Sequence, residues 1–195
     1  MAKSTKKAGV GGTIVVVLII AAFIVGLYMM LTRSKDEKTK LEPNVKVSEA
    51  TTLIDRDLKK DYPGTAREVM KFYCKITQCL YNNELSDSEI EKLVDQLRGI
   101  YSDELLEKNE RDMMVGLVRG EIKHYRSNDM TINSYNIAES GEIVYDRTSV
   151  PQKCAVDIYL TTKSGNEFYR SYETFYLYED DDKHWKILGW EITEE

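Results

Sequence analysis

The stretch Ala155-Val156-Asp157-Ile158-Tyr159-Leu160-Thr161-Thr162-Lys163-Ser164-Gly165-Asn166-Glu167-Phe168-Tyr169-Arg170-Ser171-Tyr172-Glu173-Thr174-Phe175-Tyr176-Leu177-Tyr178-Glu179 decides the fold. Side chains alternate across a strand, so every second residue shares a face. Val156, Ile158 and Leu160 fall on one face, and Asp157, Tyr159 and Thr161 on the other. Ser164-Gly165-Asn166 is a turn signal. The return strand, 167–179, puts Phe168, Arg170, Tyr172, Thr174, Tyr176 and Tyr178 on one face and Tyr169, Phe175 and Leu177 on the other. This is a long antiparallel hairpin.

The same period extends in both directions. Ile132 to Ala138 alternates, Ser140-Gly141 turns, and Glu142 to Tyr145 reads as its partner strand. Asp180-Asp181-Asp182-Lys183 is a further turn, and Trp185 to Thr193 closes the sheet. Gly189 marks an expected bulge, because Trp185 and Ile187 are out of phase with Leu188 and Trp190.

Upstream of Asn128 the period is helical. Tyr62-Pro63-Gly64 is a turn, and Thr65-Ala66-Arg67-Glu68 is a capping box that opens a helix over 65–82. Ser86-Asp87-Ser88-Glu89 opens a second helix, with Ile90, Leu93, Val94, Leu97 and Tyr101 as its stripe. Asp103 to Leu106 is a short helical turn. Asn109 is the expected cap of a third long helix, with Met113, Met114, Leu117, Val118, Ile122 and Tyr125 as its apolar face. Gly116 and Gly120 weaken that helix by about 1 kcal/mol each relative to alanine, which points to close approach of another backbone. Helices first and hairpin-linked strands second define an α+β domain, with three helices packed on a curved antiparallel sheet.

The chain has 195 residues and a net charge of −6. Residues 8–32 are uncharged, and Lys3, Lys6 and Lys7 are the only charges before them. The portion from Arg33 onward therefore carries the other 24 basic residues against all 33 acidic ones, a net of −9. A hydrocarbon core about 30 Å thick needs roughly 20 apolar residues in a helix. Residues 9–32 meet this, with Tyr28 at the interface and Arg33 as the boundary charge. A cleaved signal would have a shorter core and a small-residue exit, and Leu27-Tyr28-Met29-Met30-Leu31 offers none. The expected organisation is a cytoplasmic tail (1–8), an N-terminal transmembrane signal-anchor helix (9–32), a charged stalk (33–48) and an extracytoplasmic domain (49–195). The short tail stays inside and the acidic C-terminal domain outside. The membrane is then one partner, through residues 9–32. A protein is the other, or a second copy through the small pair Ala22 and Gly26. An acidic domain argues against nucleic acid, whose phosphates demand Lys and Arg.

The three helices, the meander and the closing Trp185-Lys186-Ile187-Leu188-Gly189-Trp190 strand after an acidic turn resemble the cystatin-like fold of the nuclear transport factor two-like superfamily. Tyr62-Pro63-Gly64-Thr65, Leu80-Tyr81-Asn82 and Tyr101-Ser102-Asp103-Glu104-Leu105-Leu106 are similar to segments of uncharacterised membrane-anchored proteins of anaerobic Gram-positive bacteria, over about residues 50–195. The layout of anchor, stalk and domain also resembles membrane scaffolds of type IV secretion systems. The superfamily resemblance implies a cone-shaped fold. Its isomerases and dehydratases line that cone with Tyr, His and Asp, which here implies Tyr73, Asp157, Tyr159, Tyr172 and Tyr176 as cavity residues. The likeness to uncharacterised proteins brings no activity with it.

Chemistry-bearing residues are sparse. Cys74 and Cys79 lie five apart on one helix and point apart, beyond disulfide reach of each other. Either can meet Cys154 on a strand, or all three serve as small core hydrophobes; an exposed Cys154 would be a redox sensor. No Cys-x-x-Cys occurs, and His124 and His184 stand without a second ligand at metal spacing. The Glu179–Asp182 run lacks the glycine and terminal glutamate of a calcium loop. No catalytic residue, cofactor or metal is expected. The reading is a non-catalytic, membrane-anchored binding or interaction module, with a cavity enzyme of isomerase or dehydratase type as the alternative.

Overall fold

The structure, a computed structural model, describes residues 47–193. The expected tail, the anchor segment 9–32 and the stalk up to residue 46 lie outside the described residues. No helix among the described residues is long and apolar enough to cross a membrane. The chain folds as an α+β domain with five helices: α1 (Val47–Ile54), α2 (Ala66–Asn82), α3 (Asp87–Gly99), α4 (Asp103–Lys108) and α5 (Arg111–Ser127). Five strands follow: β1 (Met130–Ile137), β2 (Val144–Asp146), β3 (Lys153–Ser164), β4 (Glu167–Glu179) and β5 (Trp185–Thr193).

The sheet is antiparallel in the order β1-β3-β4-β5, with β2 also on β3. The β3–β4 ladder runs unbroken from Lys153↔Tyr178 to Ser164↔Glu167. Gly165 turns it with a φ of 58°, a value that glycine adopts without penalty. Two expectations need correction. The third long helix is not capped by Asn109, which instead closes α4 by donating from Nδ2 to the Leu105 carbonyl at 2.9 Å. β2 does not pair with β1. Val144 to Asp146 pair with Lys153 to Ala155, because β3 is long enough to serve both strands along one edge. The expected bulge is present: Tyr176 pairs with Gly189 and Leu177 with Ile187, so Leu188 is the extra residue.

Helix α2 packs against β1, β3 and β5. It is covered on its other sides by α1, α3 and α5. This explains why its buried residues run well beyond one stripe, from Ala66, Val69 and Met70 through Phe72, Tyr73 and Cys74 to Ile76, Cys79 and Leu80. Local chemistry starts α2 and α3. Thr65 Oγ1 accepts from the Glu68 amide at 3.2 Å, while the Glu68 carboxylate reaches past it to the Gly64 amide at 2.9 Å. Ser86 and Glu89 form the full reciprocal box that heads α3.

The three segments that carried the resemblance each tie two elements together. Asn82 at the end of α2 satisfies both backbone groups of Ile132, at 2.8 Å each, beside the bulge in β1. Tyr62 donates to the Trp185 carbonyl at 2.9 Å, pinning the entry of α2 to the start of β5. Ile100 and Ser102 exchange backbone bonds with Ile187 at 2.9 Å, which gives the β5 edge a partner at that point.

Helix α5 departs from expectation. Met114, Val118, Ile122 and Tyr125 are buried, but Met113 and Leu117 are exposed. Gly116 and Gly120 are exposed as well, and a Cβ on either meets nothing within 4 Å. Among the described residues, no other backbone approaches them. The neighbours of α5 are α2, α3 and β1, and all lie on its opposite side.

The core makes a direct prediction. Phe168 and Phe175 sit on opposite faces of one strand, Phe175 fully buried and Phe168 57% exposed. Truncating Phe175 to alanine leaves a cavity and should cost about 3–5 kcal/mol, whereas Phe168→Ala should stay within about 0.5 kcal/mol. Urea denaturation of the two variants of the full chain in detergent measures the difference.

Candidate functional site

Strand parity separates the sequence-derived cavity residues. The inward parity is set by Val156, Ile158 and Leu160 on β3 and by Phe175 and Leu177 on β4, all buried. In the register Asp157↔Thr174 and Tyr159↔Tyr172, the opposite parity faces away from the helices. Asp157, Tyr159, Tyr172 and Tyr176 therefore share the outer face of the sheet. There Thr174 donates to Asp157 at 2.6 Å, and the Tyr159 and Tyr172 rings meet at 5.6 Å. Arg170 lies over the Tyr159 ring at 5.3 Å, and Tyr176 donates to Glu191. Tyr73 alone of the five is interior, with its ring 4.9 Å from Phe175 and 6.0 Å from Trp190. Phe175 and Trp190 stack at 5.0 Å. These rings fill the interface between α2 and the sheet.

Two acids that sequence reasoning passed over lie inside. Glu173 is 1% exposed, and its carboxylate accepts from Ser171 Oγ at 3.3 Å. Burial pushes its pKa up to about 7. Glu121 on α5 accepts from the Tyr81 hydroxyl and is likewise raised to about 7 by burial. Tyrosines surround both acids. Tyr73 and Tyr81 are held well above the ordinary phenol value, first by burial and then by neighbouring anionic groups, and Tyr125 reaches about 12. The signal was legible. Glu173 shares the parity of Tyr169, Phe175 and Leu177, and Glu121 lies three residues after Val118 and four before Tyr125, on the buried face of α5.

A second feature lies outside the core, at the end of the sheet. Three segments line a groove of about 1140 Å³: Arg98 to Leu106, from the end of α3 into α4, and the turns Arg147 to Gln152 and Glu179 to Lys183. Their turns are shaped by carboxylates. Asp180 Oδ1 accepts from the amides of Asp182 at 3.0 Å and His184 at 2.8 Å, with Lys183 at a φ of 65°. Asp146 Oδ1 accepts from the Thr148 amide at 2.9 Å and the Thr148 hydroxyl at 2.7 Å. On the floor, Lys186 donates to the Gly99 carbonyl at 2.8 Å and lies 4.6 Å over the Tyr62 ring. Burial lowers its pKa. Its walls carry acidic Asp103 and the run Glu179 to Asp182 together with basic Arg98, Arg147 and Lys183. A surface of this mixed charge suits a polar chain segment with charges of both signs.

The remaining candidates are accounted for locally. Cys74, Cys79 and Cys154 are free and buried, and burial pushes the Cys154 thiol up to about 12, which leaves little reactive thiolate. His184 stacks on Tyr62 at 4.0 Å. His124 Nδ1 lies 3.3 Å from the Asn128 amide nitrogen.

The interior acids predict a pH dependence. Each binds its proton more tightly in the folded state than in the unfolded chain, whose carboxyls titrate near 4.5. Their stabilising contribution is complete below that value and is lost as pH rises through about 7. Between about pH 5 and pH 8 the wild type should lose about 1–3 kcal/mol of stability relative to Glu173→Gln. Chemical denaturation of both chains across that range reads it, and parallel pH profiles would refute it.

None of the curated proteins compared with the chain matches it. One family model, described as a domain of unknown function (DUF6715), matches residues 1–190, a span that takes in the apolar segment as well as nearly all of the α+β domain, and the chain belongs to that family.

Proposed function

We propose that the protein is a single-pass, membrane-anchored binding module of a bacterium, non-catalytic, with its α+β domain outside the cytoplasm. On this reading residues 9–32 are the anchor, the segment from 33 to the start of α1 is a stalk, and the fold is a cystatin-like cone. The observation that carries it is the packing of Tyr73, Phe175 and Trp190 between α2 and the sheet, where a cone-type enzyme holds its substrate. The open groove at the sheet end supports a binding role, since a ligand there meets polar walls of both charges rather than a preformed dry pocket. The occupant that fits is an extended segment of a protein partner with acidic and basic side chains.

The alternative, a cavity enzyme of isomerase or dehydratase type, is favoured by one observation, the buried Glu173 carboxyl near Tyr73. A substrate at that site must displace the Trp190 ring. Small carbonyl compounds would then change tryptophan fluorescence, whereas the binding module predicts no change across such a panel.

Cross-linking in intact cells, followed by purification with the anchor kept, should recover a second protein. The double substitution Arg147→Glu and Lys183→Glu reverses two groove charges and should reduce that adduct at least about tenfold, because electrostatic complementarity governs capture at such a surface. An adduct unaffected by the reversal would count against the groove, and recovery of the protein alone against the partner. Protease added to wall-stripped cells should digest the C-terminal domain; full protection would refute the outward orientation.

A further inference from the structure

The outward face of α5 has no neighbour in the described chain. Met113 and Leu117 are 43% and 36% exposed there, with Gly116 and Gly120 beside them on the same face. The two glycines are not required by intramolecular packing, since a methyl on either meets nothing within 4 Å. Each nevertheless costs the helix about 1 kcal/mol relative to alanine. The face also carries a charge order. Asp112 is exposed one turn before Gly116, and Lys123 is exposed just after Gly120. The other basic residues of this stretch are already engaged. Arg111 is bonded to Asp95 at 2.7 Å, and Arg119 to Glu91 at 2.8 Å and Asp87 at 3.1 Å, all on α3; Arg111 also lies 3.5 Å from Asp112, whose side chain stays 97% exposed.

A helix face that runs from acidic through flat and apolar to basic is complementary to itself in reverse. A two-fold axis beside residues 117 and 118 sets Gly116 of one copy against Gly120 of the other. It also sets Asp112 against Lys123, once at each end. At 100° per residue Asp112 and Lys123 lie on the same side of the glycine row, and Met113 and Leu117 on the other. A perpendicular two-fold preserves that side, so the charges meet charges and the apolar side chains meet each other. The absent side chains at 116 and 120 let the helix axes approach closely, because interaxial distance is set by the side chains at the contact. We propose that α5 is the face through which two copies of this chain form an antiparallel, two-fold dimer. The contact is independent of the groove and of its occupant.

The test uses the full chain in membranes, with Leu117→Cys treated with a short bismaleimide. The three native cysteines are buried, and Gly141→Cys, at an exposed turn with open space around it, is the control. The expected result is at least about tenfold more cross-linked dimer from position 117 than from 141. Adding Asp112→Lys should abolish the excess, as should Lys123→Asp, and combining both should restore it, because the reversed pair is again complementary. No excess at position 117, an adduct with a different protein in place of a second copy, or failure of the double reversal to restore the dimer would each overturn the proposal. Thermal melts of the charge variants, expected to match the wild type within about 2 °C, show that loss of the dimer is not loss of the fold.

Discussion

The docking of α2 into the sheet through Tyr73, Phe175 and Trp190 is the contact on which the rest of the structure depends. Each ring comes from a different element, so the cluster fixes helix, central strand and closing strand at once. It requires Phe175 and Trp190 to face inward together. Phe175 does so by strand parity, but Trp190 does so only because Leu188 is bulged out between Ile187 and Gly189. Were Leu188 to take a paired place in the ladder instead, strict alternation from Ile187 would turn Trp190 to the outer face, since a one-residue slip exchanges the two faces of a strand.

The helical layer is fitted to the same contact. Asn82 satisfies Ile132 where the bulge in β1 breaks the ladder, and Ile100 and Ser102 satisfy Ile187 at the opposite edge of the sheet. These are backbone groups that would otherwise be buried without partners, at a cost comparable to a lost hydrogen bond each. The helices thus complete the sheet's hydrogen bonding as well as covering its apolar face. The interior acids Glu121 and Glu173 sit in the layer so formed, where burial raises their pKa values to about 7. The groove, by contrast, is walled on two sides by connections, whose shapes are held by Asp146 and Asp180, and elsewhere by the ends of helices and strands.

Much of the fold was legible from pattern. The bounds of β4 and β5, the hairpin at Gly165, the starts of α2 and α3 and the bulge near Gly189 all follow from period and cap chemistry. The partner of β2 was not legible, because three residues carry no register of their own and β3 offered a longer edge. Nor was the environment of α5. Met113 and Leu117 fit a helical apolar stripe as well as Met114 and Val118 do, and periodicity cannot say how wide a stripe its neighbours will cover. The outer-face residues Asp157, Tyr159, Tyr172 and Tyr176 were assigned to a cavity by resemblance alone. Glu173 has the parity of Phe175, so an acid inside the sheet could have been read directly.

The amino-acid sequence by itself determined what depends on near neighbours along the chain: the uncharged segment at 9–32, the acidic balance beyond it, the helix caps, the turns and the alternation of each strand. The tertiary structure decided which of the two faces of each strand is inside, which acids lose their water, and which side of α5 is left without a partner among the described residues. Those properties depend on what lies across the sheet or beyond the helix, tens of residues away in the chain, and burial is a sum over such neighbours rather than a property of any one segment.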